Sequence, residues 1–228
     1  MPTNAEASGG VRVLVLGRPG SGKGTQCARL AQHLGVPHIS TGDLFRATVA
    51  RDAPLGRMVK GYMDAGELVP DDLVVDVVDD RLGSDGAALG FVLDGFPRTV
   101  TQAEQLADLL LPHTLDAAID LVVPPDIARA RLLHRRVCAD CGRPIGPEGD
   151  DIPEICEDCG GILVVRHDDD PTTVTRRLAL HDAEAGPLLA WLTARDLLVH
   201  VDGTGTPQEV AARIDAAGAR LLLSDVPT

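Results

Sequence analysis

With 228 residues, 44% of them hydrophobic, the chain has material for one sizeable α/β core with inserted subdomains; aromatics at only 2% make that core aliphatic. Its net charge of −13 repels nucleic acid and anionic membrane surfaces, so neither is an expected partner, and any phosphate site must bring its own cluster of cations. No stretch reaches the ~20 apolar residues of a membrane span, and residues 1–10 are polar, without the apolar run of a signal peptide; they predict a disordered lead and a reducing, cytoplasmic setting.

Residues 11–16 are a short, almost wholly apolar run ending in a glycine-rich turn, the pattern of a buried parallel strand. A helix is expected at 22–34, a strand at 37–39, and helices at 42–51 and 55–64, punctuated by Pro54 and Gly66. Residues 71–81 predict another helix with Asp71 or Asp72 at its N-cap. A strand at 90–93, a helix at 101–110 and a strand at 117–122 follow, the last stopped by Pro124-Pro125. A basic helix at 126–136 leads into 138–166, which has no helical period and holds four cysteines. A long helix at 173–194, a strand at 198–201 and a helix at 207–222 complete the pattern. Strands alternating with helices predict an α/β fold: a five-stranded parallel sheet covered on both faces. The cysteine segment interrupts that alternation and reads as an inserted subdomain.

Gly17-Arg18-Pro19-Gly20-Ser21-Gly22-Lys23-Gly24-Thr25 follows the first strand and opens a helix, the context of a phosphate-binding loop. Gly20, Ser21, Gly22, Gly24 and Thr25 would bring backbone amides around phosphate oxygens, the helix N-terminus adds a favourable dipole, and Lys23 supplies charge. Gly24 stands where Ser or Thr usually follows the lysine, and the hydroxyl comes one residue later, at Thr25. The loop signifies a nucleoside triphosphate; it does not separate kinase from GTPase or ATPase.

Cys138-Ala139-Asp140-Cys141-Gly142 and Cys156-Glu157-Asp158-Cys159-Gly160 are two Cys-x-x-Cys-Gly turns, with fourteen residues between Cys141 and Cys156. Such turns present four thiolates to one tetrahedral ion and leave no open position, so the expected metal is a structural Zn²⁺; iron fits the same shell. A pair of disulfides and a redox Cys-x-x-Cys are the other readings, the first disfavoured in a reducing setting. Cys27, alone on the first helix, reads as a buried small hydrophobe.

Gly22-Lys23-Gly24-Thr25-Gln26, Ser40-Thr41-Gly42-Asp43-Leu44-Phe45-Arg46 and Asp94-Gly95-Phe96-Pro97-Arg98-Thr99, in that order and spacing, resemble the adenylate kinases, and the resemblance runs from about residue 11 to 222. It implies a P-loop core at 11–40, 70–136 and 168–223, a helical AMP-binding subdomain at 41–69 and a long, zinc-bearing lid at 137–167. It further implies a monomer that converts ATP and AMP reversibly to ADP with Mg²⁺ and so keeps the adenine nucleotides in balance. By resemblance, Arg46 and Arg98 hold the AMP phosphate, Thr41 and Gln102 contact the adenine, and Glu67, Leu68 and Val69 line the base, with Gly95, Phe96 and Pro97 in the same segment as Arg98. Gln102 suits adenine because an amide donates and accepts at once. Arg131 and Arg135, at i and i+4 on the basic helix, would share a face. With Arg166 and Arg177 on the exit side of the lid, they would surround the transferred phosphate. Asp94, ending a strand at the sheet's carboxyl edge, is expected to orient Mg²⁺ through its waters, with Asp43 assisting. Pro144-Ile145 occupy the lid positions where the family usually carries a polar-aromatic pair over the ATP base, and Gly205 lies in the loop that touches that base. Asp168 and Asp169 read either as partners of the lid arginines or as a solvated acidic turn. Two other functions stay open: a related kinase with another donor, such as a GTP:AMP phosphotransferase, and, in a different class, a zinc-ribbon binding module.

Overall fold

The computed structural model describes residues 10–50, 54–83, 90–146 and 153–223. The polar lead at 1–9 and the middle of the segment between the cysteine pairs lie outside the described residues, as does Arg51, the expected end of the second helix. Five parallel strands carry the core: β1 (Arg12–Gly17), β2 (His38–Ser40), β3 (Phe91–Asp94), β4 (Ala117–Val122) and β8 (Leu198–Asp202), in the order β2-β3-β1-β4-β8. The apolar run of β1 hides a strict alternation. Leu14 and Leu16 face one side with Ile39, Phe91 and Leu93; Val13 and Val15 face the other with Val92, Ile119 and Leu121. Both faces are therefore apolar, as a covered parallel sheet requires. Helices α1 (Lys23–Leu34) and α8 (Pro207–Leu223) cover the second face, while α4 (Asp71–Leu82), α5 (Val100–Leu109) and α7 (Pro171–Thr193) pack on the first. Among the described residues no helix is long and apolar enough to cross a membrane.

Between β2 and α4 the chain forms α2 (Thr41–Ala50) and α3 (Pro54–Ala65), which send Phe45 and Val59 into the first-face cluster. α6 (Pro125–His134) stops two residues before the expected end. Arg135 caps it in an extended conformation and Arg136 opens β5 (Arg136–Cys138). β5 pairs antiparallel with β6 (Pro144–Ile145) on one side and β7 (Leu163–Val165) on the other, so the cysteine segment contains a three-stranded sheet that no periodicity announced. α7 runs through Pro187 as one helix, held to the core beyond the proline by buried Leu188 and Leu192.

The expected N-cap of α4 is corrected. Pro70 occupies the cap without a side-chain bond, and Asp71 turns instead to α5, accepting from Gln102 Nε2 at 2.6 Å and Thr99 Oγ1 at 3.2 Å. A cross-helix tie displaces the local cap because α5 offers two donors at once. Thr99 is the N-cap of α5 and accepts from Gln102 N. Thr99→Ala is expected to lower stability by about 1 kcal/mol, read as a shift of the denaturant midpoint at unchanged slope.

Candidate active site

The loop between β1 and α1 is shaped by its glycines. Gly20 has φ 84, and a side chain there would run into the Ala128 carbonyl of α6; Gly22, φ 96, is the N-cap of α1. No side chain caps α1 and its first turn holds no acid, so the terminal amides are open to an anion. Ser21 Oγ is buried without a hydrogen-bond partner, a vacancy that a phosphate oxygen would fill. Lys23 Nζ meanwhile donates to the carbonyls of Gly17 and Arg18 at 2.7 and 2.8 Å. Enclosure in the loop drives its pKa down to about 8, opposed by Asp94 and assisted by Arg98.

From this loop a cleft of ≈ 1360 Å³, open mouth included, extends between α2, α3 and α7. Its walls bring together Lys23, Arg46, Arg98, Arg166 and Arg177 with Thr41, Glu67, Leu68, Val69, Gly95, Pro97 and Gln102. Five cations in one cleft of a chain carrying −13 is the local cluster that the composition demanded. Arg98 donates to the Gly95 carbonyl at 2.8 Å, and desolvation in the cleft followed by Arg177 lowers its pKa. Thr41 is buried and donates to the Asp94 carbonyl at 3.2 Å, tying the start of α2 to the end of β3. Gln102 accepts from Arg98 N at 2.7 Å and donates to Asp71, which fixes the amide's orientation and leaves one N–H and one lone pair for a ligand.

Asp168 and Asp169 hold the arginines on either side of the small sheet. Asp169, its side chain fully buried, takes Arg135 through two bonds of 2.7 and 2.6 Å and also meets Arg177 at 3.2 Å. Asp168 takes Arg166 at 3.0 Å and Arg177 at 3.2 Å. Burial works to raise the Asp168 pKa, but Arg166 and Arg177 outweigh it and hold the carboxyl below its usual range. Arg166 is lowered to about 10, first by burial and then by Arg135. These contacts favour the ion-pair reading of Asp168 and Asp169 over that of a solvated turn.

Several expected positions lie elsewhere. Arg131 donates to the carbonyls of Gly203 at 3.0 Å and Gly205 at 3.3 Å, Arg135 to Asp169, and neither is in the cleft's lining. Phe96 is fully buried in the core cluster, so its side chain does not line the cleft. Asp43 is engaged by Arg46. Pro144 and Ile145 form β6 of the small sheet, outside the cleft's lining, and Glu67, which is in the lining, lies 3.9 Å from Arg176. Sequence reasoning also missed a wall: Leu180, His181, Glu184, Ala185 and Leu188 of α7 continue the cleft. Their signal was available, since they repeat at helical spacing from Arg177. Burial, and then Lys23, bring His181 down to about 4, so this wall carries a neutral imidazole near pH 7.

The four cysteines of the small sheet do come together. Their Sγ atoms all lie within 4.8 Å of one another, with Cys138 and Cys159 3.4 Å apart and Cys141 and Cys156 3.8 Å apart. Two matching turns present them, Gly142 N bonding Cys138 O and Gly160 N bonding Cys156 O. Amide bonds, first from Cys141, bring Cys138 down to about 7, whereas Cys141 is shifted up and Cys159 up to about 12.

A sequence model of the adenylate kinase family matches residues 15–197. The chain is 46% identical over 212 residues to the adenylate kinase of Acidothermus cellulolyticus, an alignment covering 91% of this chain and 97% of that protein. It is 43% identical over 216 residues to the adenylate kinase of Carboxydothermus hydrogenoformans, covering 91% and 99%. The chain belongs to the adenylate kinase family of phosphotransferases.

Proposed function

We propose that this enzyme moves a phosphoryl group reversibly between MgATP and AMP, with residues 41–69 as the AMP-binding part, 137–167 as a lid and the parallel sheet as the frame. The observation that carries it is one cleft whose lining brings together Gly17, Pro19 and Lys23 of the phosphate loop, Thr41 and Gln102, and the guanidinium groups of Arg46, Arg98, Arg166 and Arg177. Phosphoryl transfer needs little covalent help from a protein; it needs two phosphate tails aligned, their charge neutralised and water shut out. Lys23 and the amides of α1 hold the donor's terminal phosphates. Arg46 and Arg98 hold the acceptor phosphate, and Arg135, Arg166 and Arg177 bridge the two once they leave Asp168 and Asp169.

Asp94 suits Mg²⁺: its carboxylate lies at the carboxyl edge of the sheet, close enough to Lys23 and Arg98 to shift both. Asp94 would hold the ion through its waters, and the bound ion would supply positive charge against the donor's phosphates. The four converging thiolates suit Zn²⁺, which would brace the lid without taking part in chemistry. A cytoplasmic monomer fits these substrates and the reduced thiols.

Gln102 and Thr41 favour AMP as acceptor, while Pro144-Ile145 give the donor base no hydrogen bond to read. The test is ADP formation with ATP or GTP against AMP, CMP, UMP and GMP. AMP should be preferred by about 100-fold or more in kcat/KM, and Gln102→Leu should raise the KM for AMP about 10-fold. Equal rates with CMP or GMP would overturn the acceptor assignment.

A further inference from the structure

Below the phosphate loop, three side chains from three elements meet. Cys27 comes from the second turn of α1, His38 from the first residue of β2 and Asp94 from the last residue of β3. One ligand atom from each lies within 4.8 Å of the other two, the only such trio besides the four lid cysteines found among the described residues. Cys27 is wholly buried, and His38 Nε2 is buried with no hydrogen-bond partner, 3.7 Å from Asp94 Oδ2. Packing alone does not account for an imidazole nitrogen left unsatisfied beside a thiol and a carboxylate, because a buried polar atom normally finds a partner.

We propose that Cys27 Sγ, His38 Nε2 and the Asp94 carboxylate form a second metal site, a three-ligand site for a soft divalent ion of the zinc class. Two ligands about 2 Å from one tetrahedral ion stand about 3.3 Å apart, so the observed 3.7 Å closes with a shift of a few tenths of an ångström. A thiolate with an imidazole selects Zn²⁺ or Cd²⁺ over Mg²⁺, which takes oxygen ligands and keeps its waters. Nearby Lys23 opposes any cation here, and burial pushes the Cys27 thiol well up; the ion displaces the thiol proton to solvent, and the thiolate–metal bond so formed is what lets a soft ion overcome both. Three protein ligands leave a fourth position open, unlike the closed shell of the lid cysteines. The partial exposure of the His38 and Asp94 side chains, 22% and 12%, gives the ion a way in. An ion held there engages Asp94 and so inhibits phosphoryl transfer. The binding claim stands on this geometry alone; the inhibition rests on the role proposed above for Asp94.

The test titrates the full chain, free of nucleotide, with Cd²⁺ and follows thiolate-to-metal charge-transfer absorbance. Wild type should show a second phase after the one assigned to the lid cysteines. Cys27→Ala and His38→Gln should each weaken that second phase by roughly 100-fold, the upper end for losing groups around a metal, and leave the first phase unchanged. Crystals grown with Zn²⁺ should show anomalous density between the three side chains. In the second arm, ADP formation in excess Mg²⁺ is measured against buffered free Zn²⁺. Wild type should lose activity, whereas both variants, active without zinc, should need about 10-fold more zinc or more for the same inhibition. A second phase that is absent in wild type, or unchanged in both variants, overturns the proposal. A second phase without inhibition supports the metal site and counts against the role of Asp94 in holding Mg²⁺.

Discussion

Lys23→Met is expected to lower turnover by about 100-fold or more, close to 3 kcal/mol of transition-state stabilisation, while the fold stays intact. The free lysine's partners are the Gly17 and Arg18 carbonyls of its own loop, so removing it breaks no long-range contact. What is lost is the mobile charge that leaves those carbonyls for the donor's terminal phosphates. The pH dependence carries the same signature. Burial lowers the Lys23 pKa to about 8, so the charged form prevails below that pH and is lost as pH rises through it. Above about pH 8, kcat/KM should therefore fall, approaching tenfold per unit, because it reports the free enzyme. The Met variant should show no such limb. Near-normal turnover in Lys23→Met, measured beside an unchanged circular dichroism spectrum, would contradict the site.

Cys156→Ala is expected to abolish metal binding in the lid and unfold it locally, while the parallel sheet stays assembled. The lid's apolar cluster consists of Cys138, Cys156 and Leu163, with Ile145 against it. Ile155, Ile162, Val164 and Val165 are exposed. So small a cluster cannot hold a three-stranded sheet by itself, and the proposed metal would supply what is missing; structural zinc contributes on the order of 10 kcal/mol in small domains. Elemental analysis should fall by one metal per chain. Hydrogen exchange should lose protection over 136–165 and keep it in β1, β3 and β4. Reduced, metal-free wild type with an equally protected lid would show that the thiols need no ion.

The sheet was legible because two signals agreed: short aliphatic runs and the helices between them, with β1 leading straight into a glycine loop. The residues around the phosphate loop were legible because residue type and spacing there are set by backbone geometry. The small sheet was not, because β5, β6 and β7 are two or three residues long, too short for alternation to register, and are positioned by cysteine turns. Asp71 misled because a local cap and a cross-helix bond use the same carboxylate, and only the fold decides between them. The α7 wall, where His181, Glu184 and Leu188 extend the helical face of Arg177, was not legible because no motif marks it beyond the helical period itself. Phe96 misled in a different way: a residue within a binding segment can serve it by filling the core beneath.

The central claim is that the phosphate loop and a set of arginines bring two nucleotide tails end to end in one closed site. The most direct measurement is a crystal structure with a dinucleoside polyphosphate, two adenosines joined through a phosphate chain that spans both sites. That chain should thread past Lys23, Arg46, Arg98 and Arg135, with Arg135 released from Asp169 and the proposed lid folded over it. A compound bound elsewhere, or one that leaves the Arg135–Asp169 pair intact and the cleft empty, would contradict it.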